Sequence, residues 1–169
     1  MSLLFLDELT DKDEQHSYSR VYERYLPGRQ KVLEIGVQRG GSVLTWLAAG
    51  AEVWGIDLEK PPHWLRHPRV HLFIGNAYSL DAVTRLSDQK YDMIVEDGSH
   101  KPEDIIWAAK HYTSLLSEKG VMVIEDIPND EVVQELKKIE GFYTVEYDLR
   151  RVKGRWDDRV VVLERKNLR

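Results

Sequence analysis

The chain of 169 residues contains no cysteine. This absence excludes disulfides, thiolate metal sites and a cysteine nucleophile together. No apolar run approaches the roughly 18 residues that a membrane span requires. The apolar stretch at residues 3–6 is too short for a secretory signal, because Asp7 and Glu8 follow it at once. We therefore expect a soluble, cytoplasmic protein with no membrane partner.

The chain also lacks a net positive charge, since its 29 acidic residues outnumber its 24 lysines and arginines and the formal net charge is -5. A protein of this charge is not expected to bind nucleic acid non-specifically. The length and the 42% hydrophobic content suit one domain with a real core and leave no room for a second full domain. We predict a single domain over residues 1–169, with a covering helix within 1–28 and a Rossmann-like core from 29 to 169.

Apolar runs alternate with segments of helical periodicity along the chain. The predicted strands are residues 31–37, 52–57, 70–74, 91–96, 120–125, 142–147 and 159–164. The predicted helices are residues 10–26, 42–49, 79–86, 102–116 and 130–139. This order predicts an α/β fold with a doubly wound, mostly parallel, seven-stranded sheet. The last two strands are joined by a short basic loop, residues 149–158, so we expect an antiparallel C-terminal hairpin strand.

Two of these strands end in acids. Asp97 and His100 follow the strand at 91–96, and Glu125 and Asp126 end the strand at 120–125. Because parallel strands place their carboxyl ends on one edge, these side chains are expected to converge in one crevice. Carboxylates that lie so close repel one another unless a proton or a cation lies between them, so a divalent metal is predicted. The alternative is that Ser99 or His100 caps the start of the next helix and that Glu125 and Asp126 are solvated acids at a strand end.

A glycine turn follows the first strand. Gly36, Gly40 and Ser42 lie between this strand and the next helix, which is typical of nucleotide-binding sites. Gln38 stands where a dinucleotide fingerprint needs glycine, so the turn suits a ligand without a pyrophosphate. Glu34, an acid within the buried strand, is expected to need a cationic partner.

Polar residues end the second and third strands. Asp57 lies about 20 residues beyond Gly36, where an acid is placed to accept both hydroxyls of a ribose. Its alternative role is a helix cap or a solvated strand end. Asn76 can both donate to and accept from an adenine edge.

Five motifs follow one another along the chain: Thr10-Asp11-Lys12, His16-x-Tyr18-x-x-x-Tyr22, Leu33-Glu34-Ile35-Gly36-Val37, Asp97-Gly98-Ser99-His100 and Ile124-Glu125-Asp126. With the patterns above, they resemble class I methyltransferases that use S-adenosylmethionine, and more narrowly the metal-dependent macrolide-sugar O-methyltransferases of the macrocin and mycinamicin type, with cephalosporin hydroxylase-like relatives. The resemblance covers about residues 8–128.

The resemblance implies S-adenosylmethionine and Mg²⁺ or another divalent cation as cofactors, with methyl transfer to a hydroxyl of a small molecule, a sugar or a glycosylated natural product. It implies metal binding by Asp97, Glu125 and Asp126 and a general base at His100. With the patterns above, the cofactor-binding candidates are Glu34, Gly36, Gly40, Ser42, Asp57, Asn76 and Asp97.

Two departures leave the acceptor open. The sugar-modifying members carry a large N-terminal region and a long lid after the Ile-Glu-Asp motif, and neither has a counterpart here. A second copy of the chain in a homo-oligomer is one source of a lid. The alternatives are a catechol-type O-methyltransferase, which is expected to have lysine where His100 stands, and a cofactor-binding module without catalysis. A nicotinamide-dependent oxidoreductase is disfavoured by Gln38 and the acids.

Overall fold

The computed structural model describes residues 9–166. Its helices are α1 (Ser19–Tyr25), α2 (Gly41–Ala48), α3 (Leu80–Leu86), α4 (Pro102–Tyr112), α5 (Asp130–Leu136) and α6 (Arg150–Lys153). Its strands are β1 (Lys31–Ile35), β2 (Glu52–Asp57), β3 (Val70–Ile74), β4 (Tyr91–Glu96), β5 (Leu116–Ile124), β6 (Phe142–Asp148) and β7 (Arg159–Arg165). Single 3₁₀ turns lie at His63–Leu65 and Thr113–Leu115.

The strands form one seven-stranded sheet in the order β3-β2-β1-β4-β5-β7-β6. Strands β1 to β5 pair in parallel, whereas β7 is antiparallel to both β5 and β6. This arrangement confirms the predicted fold class. The strand order reverses direction between β1 and β4, and ligands of such sheets bind in the crevice outside the strand ends at this point.

Helices cover both faces of the sheet, and each face has its own hydrophobic core. Alternate residues of β1 contribute to opposite faces, because side chains alternate along a strand. Leu33 belongs to the core that includes Ile105 of α4 and Leu136 of α5. Val32 belongs to the core on the other face, beneath α1 and α2. Glu34 lies two residues after Val32 and therefore points to the same face of the sheet, where it is fully buried. This face is covered by α2 and by the residues before β1, residues 9–30, which are hereafter called the N-terminal segment.

The predicted helix over residues 10–26 is wrong in extent, because α1 begins only at Ser19. The preceding residues form turns in which the backbone N–H groups of Gln15 and His16 both donate to the Asp11 carbonyl at 3.0 Å. The basic loop before β7 contacts this segment, because Lys153 Nζ donates to the Asp13 carbonyl.

Other boundaries shift by a few residues. The helix predicted over 102–116 ends at Tyr112 and continues as a 3₁₀ turn, and β5 begins at Leu116 rather than at Gly120. The helix predicted to reach Ile139 ends at Leu136. Within residues 9–166, no helix combines the length and the apolar character that crossing a membrane demands.

Candidate active site

The carboxyl ends of neighbouring strands bring three predicted acids to one edge. The backbone N–H of Asp97 donates to the Ile35 carbonyl at the end of β1, at 3.0 Å. The N–H of Glu125 donates to the Glu96 carbonyl at the end of β4, also at 3.0 Å. Asp126 follows with its backbone in the left-handed region, at φ 51°. Asp97, Glu125 and Asp126 are hereafter called the acid cluster.

A buried lysine joins two members of the acid cluster. Lys12 Nζ lies 2.6 Å from Asp97 Oδ2 and 2.6 Å from Glu125 Oε2, and its side chain is only 1% exposed. The second oxygen of Glu125, Oε1, accepts a hydrogen bond from the Tyr22 hydroxyl. Both oxygens of Glu125 are thus engaged by the N-terminal segment.

A histidine joins Asp97 to the third member, Asp126. His100 Nε2 lies 3.3 Å from Asp97 Oδ1, and His100 Nδ1 lies 3.1 Å from Asp126 Oδ2. The remaining oxygen, Asp126 Oδ1, accepts from the Tyr18 hydroxyl at 2.5 Å. Every carboxylate oxygen of the acid cluster therefore has a polar partner within the protein.

Sequence reasoning missed the role of Lys12, which entered only as one letter of a motif. Burial disfavours its charged form, but the charges of Asp97 and Glu125 outweigh burial and raise the pKa of Lys12 above its ordinary value. The one signal that pointed to it was Glu34, which was expected to need a cation. Burial raises the pKa of Glu34 to about 7, while the nearby charge of Lys12 acts in the opposite direction.

Tyr18 and Tyr22 appeared in the sequence analysis only as part of a motif, within the predicted covering helix. Both side chains are buried with the core beneath α1. Their hydroxyls nevertheless bond Asp126 and Glu125, so each residue serves the core with its ring and the acid cluster with its oxygen. Hydroxyl-bearing aromatics four residues apart on one helical face were the signal for this second role.

His100 occupies the predicted position of the general base. Its backbone is in the left-handed region, at φ 58°, and its side chain is 44% exposed. The hydrogen bond to Asp97, together with the charge of Asp126, raises the pKa of His100 to about 9 although partial burial opposes the shift. Below that pH the imidazole holds its proton between the two carboxylates. The alternative capping role falls to Ser99, whose hydroxyl donates to Asp104 of α4 at 2.6 Å and accepts from the Lys101 N–H at 3.3 Å.

A cavity of about 830 Å³ opens beside the acid cluster. Its walls include Asp97, His100 and Asp126 at one side. Of the predicted cofactor-binding residues, those that line it are Gly36, Ser42, Asp57, Asn76 and Asp97. Residues 9–11 of the N-terminal segment complete the wall. A volume of this size is within the range of small-molecule and cofactor sites.

The other two predicted cofactor-binding residues, Glu34 and Gly40, do not line this cavity. Glu34 lies beneath it, fully buried, and accepts from Trp46 Nε1 at 3.2 Å. Gly40 precedes α2 with φ 76°, and a Cβ there would overlap the side chain of Leu65. The structure gives both residues supporting positions behind the wall.

Asp57 connects the glycine turn to the cavity. Its Oδ2 accepts from the backbone N–H groups of Val37 and Gln38, each at 2.8 Å, and its Oδ1 accepts from the N–H of Glu59 at 2.9 Å. Asn76 Oδ1 accepts from the N–H of Tyr78 at 2.9 Å. The carboxylate of Asp57 therefore fixes the turn and faces the cavity at the same time.

A methyltransferase-domain family model matches residues 33–127, which run from β1 to the residue after the acid cluster. The chain belongs to this methyltransferase-domain family. The matched residues contain both the glycine turn and the acid cluster.

Among curated proteins, the methyltransferase domain is 30% identical over 134 residues to 8-demethyl-8-alpha-L-rhamnosyl tetracenomycin-C 2'-O-methyltransferase of Streptomyces olivaceus. The alignment covers 70% of this chain and 35% of that protein. The chain thus spans about a third of the length of this curated relative.

Two solved structures illustrate the fold of the methyltransferase domain. The MycE methyltransferase of the mycinamycin biosynthetic pathway, in complex with Mg, SAH and mycinamycin VI, has a TM-score of 0.69 at 16% identity, covering 89% of this chain and 49% of that chain. The Burkholderia thailandensis 1,6-didemethyltoxoflavin-N1-methyltransferase, with its substrate and S-adenosylhomocysteine bound, has a TM-score of 0.69 at 21% identity, covering 95% and 82%. At these identities the likeness concerns the fold.

Proposed function

We propose that the domain is an S-adenosylmethionine-dependent O-methyltransferase that acts on a hydroxyl of a small molecule, a sugar or a glycosylated natural product. The single observation that carries this proposal is the composition of the cavity. Asp57 and the glycine turn form one wall, and Asp97, His100 and Asp126 form another. A cofactor bound against the first wall would share one cavity with an acid–base group, as methyl transfer requires.

The features of the cavity fit the cofactor. Gly36 has φ 85°, and a Cβ there would meet the Asp97 carbonyl, so the backbone leaves room only for a hydrogen at this point. We assign the amino-acid end of the cofactor to the wall around Gly36 and its ribose to Asp57, whose carboxylate is already oriented by two N–H groups. When bound, S-adenosylmethionine supplies an electrophilic methyl group.

The acid cluster fits a divalent cation in part. Among the described residues, Asp97, His100 and Asp126 can each offer an atom such that all three lie within 4.8 Å of one another. Carboxylate oxygens are the ligands that Mg²⁺ prefers. We assign the cation to Asp97 and Asp126, whereas both oxygens of the third expected ligand, Glu125, are engaged by Lys12 and Tyr22. When bound, a divalent cation favours the ionised form of a neighbouring hydroxyl.

The residues of the chain then have separate tasks. Asp97 and Asp126 would hold the cation next to the acceptor hydroxyl, and a ring nitrogen of His100 would accept the proton of that hydroxyl. Asp97 and Asp126 raise the pKa of His100 to about 9, so the imidazole is protonated at neutral pH. His100 becomes a base when a bound cation, rather than the imidazole proton, neutralises these two carboxylates. The walls of the cavity hold donor and acceptor together, which is the larger part of the rate enhancement.

A second candidate is a module that binds the cofactor without catalysis. The observation that favours it is the complete pairing of the acid cluster, since all of its oxygens have partners in the protein itself. A catechol-type acceptor stays an alternative within the same enzyme class.

The test is methyl transfer from labelled S-adenosylmethionine to a panel of glycosides and catechols, with magnesium and with a chelator. We expect product from a glycoside in the presence of magnesium, and its loss in His100→Ala but not in His111→Ala, a histidine that bonds the Trp107 carbonyl instead. S-adenosylhomocysteine binding without transfer to any acceptor would favour the binding module. Transfer only to catechols would redirect the assignment to that class.

A further inference from the structure

Lys12 and His100 each bridge two carboxylates of the acid cluster, but they differ in their access to the cavity. Lys12 comes from the N-terminal segment and is buried, at 1% exposure. His100 lines the cavity and is 44% exposed. The two side chains also contact different carboxylate oxygens. Lys12 bonds Asp97 Oδ2 and Glu125 Oε2, whereas His100 contacts Asp97 Oδ1 and Asp126 Oδ2.

An ion that enters from the cavity meets only one of these two halves. Asp97, His100 and Asp126 line the cavity, but Lys12 and Glu125 do not. To bind Glu125, the ion would have to displace a buried ammonium and a tyrosine hydroxyl together. A buried ammonium that loses its carboxylate partners is left uncompensated, which is strongly unfavourable. The half bridged by His100 carries a smaller cost, since the imidazole is 44% exposed and already lines the cavity.

We infer that Lys12 is a built-in cation that occupies the Glu125 half of the acid cluster, so that a divalent ion is held by Asp97 and Asp126 and Glu125 is not a ligand. This inference rests on the proposed function and changes its expected ligand set. Two carboxylates with the remaining positions left to water or acceptor oxygens suit Mg²⁺ or Mn²⁺. Lys12 then also competes with the ion electrostatically and keeps its affinity modest.

The test is Mn²⁺ binding to the full chain and its variants by calorimetry. We expect Asp126→Asn to weaken binding about 10-fold or more, because a ligand is lost, and Glu125→Gln to change it by no more than about 3-fold. Lys12→Met is expected to tighten binding about 10-fold or more, since a nearby positive charge is removed and Glu125 is released. A gain of Mn²⁺ affinity in Lys12→Met is hard to explain by damage to the fold, because damage to the fold would weaken binding.

The double variant Lys12→Met/Glu125→Gln provides the control, because it removes the ion pair without leaving a buried charge alone. We expect its Mn²⁺ affinity to return to within about 3-fold of the wild type. Equal losses in Glu125→Gln and Asp126→Asn, or no gain in Lys12→Met while the double variant folds, would overturn the inference.

Binding of S-adenosylhomocysteine in the same samples separates this inference from the proposed function. If the wild-type chain bound the nucleoside but no Mn²⁺, the ligand assignment would be overturned while the cofactor site stood. If it bound neither, both would fail. If it bound Mn²⁺ with the expected order of variants but no nucleoside, the ligand assignment would stand without the methyltransferase proposal.

Discussion

Replacing Gly36 by alanine tests how closely the ends of β1 and β4 approach each other beneath the cavity. A Cβ on Gly36 would lie 1.9 Å from the Asp97 carbonyl oxygen and 2.7 Å from its carbon, so the backbone after β4 has to move. The left-handed φ of 85° adds a conformational cost of about 1–2 kcal/mol for any L side chain. With an overpacking cost of about 1–3 kcal/mol, we expect a total loss of roughly 3 kcal/mol or more in the free energy of unfolding.

Gly28→Ala is the matched control for this change. Gly28 has a similar φ of 80°, but its Cβ would meet nothing within 4 Å among the described residues. Only the conformational cost of about 1–2 kcal/mol is therefore expected there. Urea denaturation followed by circular dichroism measures both, and calorimetry with S-adenosylhomocysteine shows whether Gly36→Ala also weakens the ligand. If the two variants lost the same free energy, the close approach of Gly36 to Asp97 would be refuted.

Two further predictions concern protons. His100→Ala should leave binding of S-adenosylhomocysteine unchanged and reduce turnover about 10²-fold or more, and full turnover at neutral pH would contradict the base assignment. Burial raises the pKa of Glu96 from 4.5 to about 7, so the native state holds a proton that the unfolded state has lost, and stability should fall as pH rises through this window. Glu96→Gln removes this dependence, and its stability relative to wild type should rise by up to about 3 kcal/mol between pH 4.5 and pH 8 in chelator. A constant difference between the two proteins across that range would argue against a protonated Glu96.

The sheet was predictable because its determinants are local. Alternating apolar runs and helical segments predicted seven strands, and the short loop between β6 and β7 predicted their antiparallel pairing. The convergence of Asp97 and Glu125 followed from the handedness of one strand–helix–strand crossover. These inferences need only the order of elements along the chain.

The partners of the acid cluster were not predictable in the same way. Lys12 meets Asp97 across 85 positions in sequence and Glu125 across 113, and no local pattern encodes such a contact. The same contact explains why the helix expected from residue 10 begins only at Ser19, since the chain has to turn to direct Lys12 inward. Tertiary pairing overrode helical propensity in this segment.

We propose that the cavity at the carboxyl edge binds the nucleoside of S-adenosylmethionine through Asp57. The decisive measurement is calorimetric titration of the chain and of Asp57→Asn with S-adenosylhomocysteine, with circular dichroism to verify the fold. We expect one binding site per chain and a loss of about 10-fold or more in affinity in the variant, because the ribose hydroxyls lose a charged acceptor. Absence of binding to the folded wild-type chain at millimolar ligand, or equal affinity in the two proteins, would contradict it.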